Sequence, residues 1–447
     1  MRTLLEDAAR RAIAYVETLP SRDVAPSPAA VAGLRRLEEP LPDRPSDPHE
    51  ALALLDEVCS PATMAMAGPR FFGFVIGGAL PATVAASWLA TAWDQNTGLE
   101  PVTPATAALG RVALGWLLDL LRLPPGCAGA FVTGATMANF TALAAARHAL
   151  LERAGWDVEA QGLFGAPPLA VVVGEEAHPT VHKALGLLGL GRERVVRVPV
   201  DAQGRMRAER LPALDAATIV CAQAGNVNTG AFDPLLEIAA RARDAGAWLH
   251  VDGAFGLWAA ASPAHAHLVE GVGEADSWAT DAHKWLNVPY DCGLAFVRDG
   301  EALRNAMSIH AAYLPDGVSR DPSDFTPELS RRARGVEVWA ALRTLGRAGV
   351  ADLVERCCRH ARRFASGLTA AGFEVLNDVV LNPVLVSFGD PEATQRAIAA
   401  LQRDGTCWCG GTEWQGRTAM RISVCGWATS EDDVERSLAA MLRAAAG

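Results

Sequence analysis

The segment 281–285, DAHKW, contains Lys284, and the only other lysine in the chain is Lys183. Lysine and arginine together number 40, so arginine supplies nearly all of the positive charge. Arginine replaces lysine where only charge is needed, but it does not act as an amine nucleophile. An amine in an apolar surrounding, beside His283 and Trp285, is favoured in its neutral form and can form an imine with an aldehyde. Lys284 is therefore a candidate for imine chemistry, with a salt-bridged structural lysine as the alternative.

Three other places carry side chains suited to a charged, planar ligand. The segment 133–136, TGAT, opens a predicted helix whose free N–H groups favour phosphate, with Thr136 as an ordinary N-cap as the alternative. Asp252 ends the apolar run WLHVD, where a buried carboxylate needs a partner; an N-cap, a salt bridge or magnesium are the alternatives. His178 is placed to lie flat on a planar ligand. A zinc site with His182 lacks a third ligand, so we predict no metal.

Together these groups match the requirements of pyridoxal 5'-phosphate. A helix N-terminus binds the phosphate, an imidazole stacks on the ring, and a carboxylate keeps the pyridine nitrogen protonated. A lysine anchors the aldehyde and releases it to an incoming amine. The protonated ring accepts electrons from a carbanion. The sequence therefore predicts a pyridoxal-phosphate enzyme with an amine substrate.

These residues need a scaffold that brings them together. Short apolar strands alternate with helical segments, which indicates a parallel or mostly parallel sheet with helices on both sides. Ligands bind at the carboxyl ends of the strands in such a sheet, where the candidate residues fall. The predicted strands are FVTG (131–134), LAVVV (169–173), TIVCAQA (218–224), WLHVD (248–252), SWATDA (277–282) and GLAFV (293–297).

The rest of the chain reads as helical segments and a smaller α+β domain. Residues 1–60 show helical patterns interrupted by a Pro-rich stretch, 20–48, typical of an extended connection or arm. The predicted helices cover 81–93, 135–155, 233–245, 328–347, 350–371 and 391–403 and begin near Pro179 and Ser430; further strands lie near 373–376, 384–388 and 419–424. We predict an N-terminal helical segment (1–67), a large cofactor-binding α/β domain (68–310) and a C-terminal loop, linking helices and α+β domain (311–447).

Bulk composition excludes several classes. The length of 447 residues is too great for one ordinary core, and half of the residues are hydrophobic, with a mean hydropathy of +0.13. The net charge is −11 and no basic run stands out, so we expect no nucleic-acid partner. Nine scattered cysteines indicate free thiols in a reducing cytoplasm. The charge-free stretch 71–93 contains glycines and Pro81, so we expect a buried helix and no membrane span.

The motifs TGATMAN (133–139), EEAH (175–178), HVDGAFG (250–256) and DAHKW (281–285) resemble those of the group II pyridoxal-phosphate-dependent amino-acid decarboxylases. This family includes aromatic-amino-acid, glutamate and tyrosine decarboxylases. The resemblance extends from about residue 68 to the C-terminus. It implies a fold of the aspartate-aminotransferase type (fold type I), with a mostly parallel seven-stranded sheet and a smaller α+β domain. It also implies a homodimer with active sites at the dimer interface.

The resemblance also implies a role for each site residue. Lys284 would bind the cofactor's aldehyde, Asp252 would pair with the pyridine nitrogen, and His178 would stack on the ring and position the substrate carboxylate. The remaining cofactor contacts it implies are Ala135, Thr136 and His283 on the phosphate, Ala254 on the ring's other face, and, more weakly, Asn228. The implied substrate contacts are Phe74, Asn96 and Arg421.

One departure from the family concerns the proton donor. Family members carry a tyrosine on a mobile loop that reprotonates the substrate carbon after carbon dioxide leaves, whereas the corresponding loop here, 314–328, has none. Tyr313, just before the loop, His178 or His310 could take this role. We therefore predict a decarboxylase, with an aldehyde synthase, an aldolase or lyase, or an aminotransferase as the alternative.

Aromatic residues favour a hydrophobic substrate over an acidic one. Phe71, Phe72 and Phe74 align with a family stretch that lines the substrate pocket. Other candidates for apolar walls are Trp88, Trp93, Trp408 and Trp414. The alternative is that these rings belong to the core.

Overall fold

The computed structural model describes residues 1–309 and 320–446. The helices are α1 (Arg2–Thr18), α2 (Pro28–Gly33), α3 (Pro48–Ala62), α4 (Pro81–Trp93), α5 (Pro104–Leu120), α6 (Ala135–Arg153), α7 (Val158–Gln161), α8 (Pro179–Leu187), α9 (Leu235–Ala245), α10 (Gly300–Met307), α11 (Gly335–Ala370), α12 (Pro391–Asp404) and α13 (Glu431–Ala446). The strands are β1 (Ala128–Val132), β2 (Ala170–Gly174), β3 (Val196–Val198), β4 (Thr218–Gln223), β5 (Trp248–Asp252), β6 (Ser277–Asp281), β7 (Gly293–Val297), β8 (Glu374–Val375), β9 (Pro383–Ser387), β10 (Gly410–Trp414) and β11 (Arg417–Ser423).

The chain divides into two compact units. The smaller unit comprises Met1–Gly78, Arg363–Leu376 and Leu385–Gly447, and the larger unit comprises Ala79–Arg362 and Asn377–Val384. The N-terminal segment therefore groups with the C-terminal elements. The three-part division at residues 67 and 310 stays a prediction. No described helix has both the length and the apolar character needed to cross a membrane.

The larger unit contains a seven-stranded sheet in the order β1-β7-β6-β5-β4-β2-β3. The pairs from β3 through β6 are parallel, whereas β7 is antiparallel to both β6 and β1. A parallel connection usually needs a crossover helix, and the segment 282–292 between β6 and β7 contains none. The predicted α/β fold with a mostly parallel seven-stranded sheet is confirmed, with β7 as the strand of opposite direction.

Burial explains why these strands read as continuous apolar runs. Every residue of β1, β4, β5, β6 and β7 is buried. Helix α6 lies against the sheet with a face of small residues, and its buried positions include Ala138, Ala142 and Ala145. Small side chains let a helix approach a sheet closely, which fixes where its N-terminus lies.

Several predicted elements differ in extent. Helix α4 begins at Pro81 and ends at Trp93 as predicted. The two helices expected over 328–347 and 350–371 form one element, α11, which begins only at Gly335 and has non-helical backbone at Gly346 (φ 59°). Elements absent from the sequence prediction are α2 inside the Pro-rich stretch, α5, α7, α10, β3 and β10.

The smaller unit contains most of a four-stranded sheet in the order β10-β11-β9-β8. Arg70, which is only 2% exposed, joins its N-terminal and C-terminal parts. Its guanidinium pairs with Asp433 Oδ1 at 3.0 Å and donates to the carbonyl oxygens of Pro20, Arg22 and Thr406. A buried cation needs such a complete set of acceptors to offset its lost hydration.

Candidate active site

The predicted site residues of the larger unit follow strands that end at the same edge of the sheet. β1 is antiparallel to β7, and β7 is antiparallel to β6, so β1 runs in the same direction as β6. The carboxyl ends of β1, β2, β5 and β6 therefore share one edge. This places TGAT (133–136), His178, Asp252 and Lys284 on the edge where α/β sheets bind ligands.

Lys284 lies beside a carboxylate that the sequence prediction did not assign. Its Nζ is 3.1 Å from Asp281 Oδ2, and it lies 5.9 Å from the ring centre of Phe255. Because an adjacent anion favours the ammonium form, the expectation of a purely apolar surrounding was wrong. The salt-bridged lysine that sequence left as the alternative is what this structure contains. Asp281 Oδ1 is buried and has no hydrogen-bond partner in the described structure.

His283 links this pair to the start of α6. Its Nδ1 accepts a hydrogen bond from the Cys292 backbone N–H at 3.2 Å, and its ring stacks on Tyr290 at 4.3 Å between centres. Burial lowers the pKa of His283, against the smaller opposing effect of Asp281. The neutral ring therefore carries its proton on Nε2, which lies 3.6 Å from Asp281 Oδ2.

The N-terminus of α6 is reached by an unusually close backbone approach. A Cβ on Gly293 would lie 2.5 Å from Gly134 Cα, and a Cβ on Gly134 would lie 3.4 Å from His283 Cε1. Glycine is required at residue 293 because any side chain would displace the backbone that leads into α6. The first-turn N–H groups of a helix have no acceptor within the helix, so those of Ala135 and Thr136 lie at the candidate site.

Asp252 is held by hydrogen bonds on both carboxylate oxygens. The Ala254 backbone N–H donates to Oδ1 at 3.1 Å, and Asn139 Nδ2 donates to Oδ2 at 3.2 Å. Asp252 forms no salt bridge with another described residue. The sequence prediction included Asn139 in the motif TGATMAN but gave it no role.

Behind Asp252 lies a buried chain of polar side chains that sequence reasoning missed. Asn139 Oδ1 is 2.8 Å from His250 Nε2, and His250 Nδ1 is 2.9 Å from Ser277 Oγ. Trp248 Nε1 donates to the same Ser277 Oγ at 2.9 Å. Burial lowers the pKa of His250 to about 3. One sequence signal was present: Trp248, His250 and Asp252 alternate along β5 and so share one face of the strand.

His178 is the N-cap of α8. Its Nδ1 accepts from the Thr180 backbone N–H at 3.3 Å and lies 2.8 Å from Thr180 Oγ1. Asn139 Nδ2 lies 3.5 Å from the same Thr180 Oγ1, so Asn139 connects to both His178 and Asp252. Since Nδ1 accepts a hydrogen bond, a neutral His178 carries its proton on Nε2.

The smaller unit contains a stack of three aromatic rings. Trp408 stacks on Phe71 at 5.2 Å between centres and on Phe74 at 5.9 Å. Phe74 is 56% exposed, whereas Phe72 is buried edge-to-face on Phe364 and Trp414 belongs to a core cluster. The core alternative is therefore correct for Phe72 and Trp414. In the same unit, burial lowers the pKa of Arg421.

Comparison with known proteins decides the family. A sequence profile described as "Pyridoxal-dependent decarboxylase conserved domain" matches residues 33–389. The chain belongs to this family. The enzyme is 29% identical over 375 residues to the aromatic-L-amino-acid decarboxylase of Bacillus atrophaeus, covering 79% of this chain and 74% of the relative. It is 30% identical over 323 residues to the acidic amino acid decarboxylase GADL1 of Bos taurus, covering 69% and 61%.

Solved structures agree with the family assignment. The structure of Oryza sativa TDC with PLP and tryptamine superposes with a TM-score of 0.91 and 25% identity, covering 100% of this chain and 97% of the other. The fold type inferred from sequence is confirmed. The enzyme is a pyridoxal-phosphate-dependent amino-acid decarboxylase, as its motifs predicted.

The remaining predicted residues of the decarboxylase occupy varied positions. Asn228 is half-buried in the loop after β4, where its backbone N–H donates to Asn226 Oδ1 at 2.9 Å. Asn96 is exposed after α4, and its Oδ1 accepts from the Arg331 backbone N–H at 2.8 Å. Tyr313 and His310 lie outside the described residues. The described part of the predicted loop packs into the core through Phe325.

Proposed function

We propose that the residues of the larger unit hold pyridoxal phosphate in the roles that the resemblance implies. Lys284 binds the aldehyde, Asp252 pairs with the ring nitrogen, and the N-terminus of α6 binds the phosphate. Three features support the fit: the close approach of Gly293 to the start of α6, the unpartnered buried Asp281 Oδ1, and the anchored carboxylate of Asp252. The remaining contacts proposed are Ala135, Thr136, His178, Asn228, Ala254 and His283.

The chemistry divides between the cofactor and the chain. Bound pyridoxal phosphate supplies a ring that accepts the electron pair left on the substrate when its carboxylate departs. Asp281 Oδ2, at 3.1 Å, holds the Lys284 ammonium and is placed to take its proton. Asp252 keeps an anionic acceptor at the ring nitrogen. His178, with its proton on Nε2, stacks on the ring and positions the substrate carboxylate.

The proton donor at the substrate carbon is proposed to be Tyr313, with His178 and His310 as further candidates. One observation favours a second activity: residues 314–328 contain no tyrosine. A carbanion without a nearby donor can react with oxygen, which would give an aldehyde, peroxide and ammonia in place of an amine. Aldol cleavage and amino transfer are weaker forms of the same alternative.

We propose an aromatic or other hydrophobic amino acid as the substrate, bound by Phe74, Asn96 and Arg421. The observation that carries this choice is the stack of Phe71, Trp408 and Phe74, since an exposed ring on a rigid aromatic base offers a large apolar contact. Arg421 supplies a cation for the substrate carboxylate. Names of relatives span aromatic and acidic substrates, so the choice must be tested directly.

The test is a screen of all twenty amino acids against the holoenzyme, with carbon dioxide and peroxide measured together. We expect carbon dioxide and the amine from tryptophan, tyrosine or phenylalanine, without peroxide. Trp408→Ala should lower kcat/KM for the aromatic substrate by about tenfold or more, whereas Trp414→Phe should not. Turnover of aspartate or glutamate alone would contradict the substrate class, and peroxide equal to carbon dioxide would establish the aldehyde synthase.

A homodimer in the cytoplasm completes the proposal. Helix α4 exposes the large apolar residues Trp88, Leu89 and Trp93, a patch of the kind that mediates association. All nine cysteines are free, as expected in a reducing compartment. Sedimentation velocity should find a dimer, and Leu89→Asp should shift it toward monomer. A wild-type monomer would contradict the proposal.

A further inference from the structure

The buried side chains behind Asp252 have one consistent arrangement of hydrogens. Trp248 Nε1–H can only donate, so Ser277 Oγ accepts from it. An ionised Asp252 can only accept, so Asn139 turns its amide nitrogen to Oδ2 and its oxygen to His250 Nε2. His250 Nε2 therefore carries the ring proton, and Nδ1 accepts the Ser277 hydroxyl hydrogen. Every donor in the chain points toward Asp252.

We propose that this directed chain, Trp248–Ser277–His250–Asn139, positions Asp252 and holds it as an anionic acceptor for the cofactor's ring nitrogen, with Asn139 as the decisive positioning residue. The inference rests on the proposed pairing of Asp252 with that nitrogen. A chain that starts at a donor-only group and ends at an acceptor-only group has aligned dipoles, and aligned hydrogen bonds strengthen one another in a low-dielectric interior.

Burial makes the arrangement firm. Asn139, His250 and Ser277 are 0% exposed, so water cannot replace a lost partner. The lowering of the pKa of His250 to about 3 keeps this ring neutral, and a neutral ring can donate on one nitrogen while accepting on the other. His250 and Ser277 are also direct partners in the parallel pairing of β5 with β6, so the sheet register fixes their contact.

Asn139 connects a second part of the site. Its amide nitrogen also lies 3.5 Å from Thr180 Oγ1, which lies 2.8 Å from His178 Nδ1. One amide therefore faces both the carboxylate proposed for the ring nitrogen and the hydroxyl that orients the histidine proposed for the ring face. Replacing it removes a donor from Asp252 and an acceptor from His250 together.

The test compares two ligands on the apoenzyme: pyridoxal phosphate and its analogue with C–H in place of the ring nitrogen. Both carry the aldehyde and the phosphate, but only the first can use Asp252. Asn139→Leu should weaken pyridoxal phosphate by about 10- to 100-fold and the analogue by less than about twofold. Ser277→Ala, which touches neither Asp252 nor the ligand, should weaken pyridoxal phosphate by about 3- to 10-fold with the same selectivity. It carries the test if Asn139→Leu does not fold.

Two further variants complete the design. Thr141→Val is the matched control, because Thr141 is buried two residues along α6 and its Oγ1 has no partner in the described structure. It should change neither affinity. Asp252→Asn is the benchmark and should remove the preference for pyridoxal phosphate. Equal loss for both ligands, or no loss, in Asn139→Leu and Ser277→Ala overturns the inference. If Asp252→Asn itself keeps the preference, the proposed role of Asp252 fails instead.

Discussion

Arg70 in the smaller unit and Asp281 in the larger unit are each 2% exposed, yet their surroundings differ. Arg70 pairs with Asp433 and donates to three carbonyl oxygens. Asp281 pairs with Lys284 through Oδ2, while its Oδ1 has no hydrogen-bond partner in the described structure. A buried charge with a complete set of partners serves folding. A buried charge with an unused acceptor costs stability and is kept where binding or chemistry needs it.

The largest expected effect concerns the amine beside Asp281. Lys284→Arg keeps the positive charge but removes the amine that forms an imine. We expect kcat to fall by at least about 10³-fold and the visible absorbance of the bound cofactor to be lost. The free energy of unfolding of the apoenzyme should change by less than about 1 kcal/mol. Residual turnover near the wild-type rate would show that Lys284 is only a structural charge.

The second effect tests the other side of the comparison. Arg70→Met leaves the Asp433 carboxylate buried without its cation, and we expect a loss of about 3–5 kcal/mol in the free energy of unfolding. Urea denaturation of the apoenzyme measures it. The cofactor affinity of the folded fraction should stay within about twofold of the wild-type value. A loss below about 1 kcal/mol would mean that the carbonyl contacts of Arg70 do not need a charge.

Titration of the buried histidine in the larger unit gives a pH-dependent effect. Burial lowers the pKa of His250 to about 3, below its unfolded value, so the unfolded chain takes up a proton first as pH falls. Stability is therefore present above about pH 6.5 and is lost as pH falls toward 3. Between pH 7 and pH 5 this group should cost about 2 kcal/mol. His250→Gln should flatten the pH dependence of urea midpoints by that amount; an unchanged slope would contradict it.

The sequence predicted local features of this site better than its long-range contacts. WLHVD and GLAFV coincide with β5 and β7 because fully buried strands leave uninterrupted apolar runs. The direction of β7 was not predictable from that run, since it depends on a connection without a helix. Asn139 and His250 meet across 111 positions of sequence, which no local spacing reveals. The pairing of Lys284 with Asp281, only three residues apart, was open to prediction and was missed.

A smaller effect is expected at Asp281 itself. Asp281→Asn removes a buried charge whose Oδ1 has no partner in the described structure, so the apoenzyme should unfold within about 1 kcal/mol of wild type, unlike Arg70→Met. Cofactor affinity should fall about tenfold, because the Lys284 amine loses the acceptor that positions it. Fluorescence titration with pyridoxal phosphate and urea denaturation measure the two quantities. A large stability loss with unchanged affinity would place Asp281 with Arg70.

The smallest expected effect isolates burial as the cause of the difference. Arg363 and Glu435 form a two-point ion pair in the smaller unit, at 2.6 and 2.7 Å, but both side chains are about half exposed. Water hydrates either partner when the other is removed, so Glu435→Gln should cost less than about 1 kcal/mol. This pair has better geometry than that of Arg70 with Asp433 and a smaller predicted effect. If urea denaturation gave Glu435→Gln a loss equal to that of Arg70→Met, pair geometry, and not burial, would govern these charges.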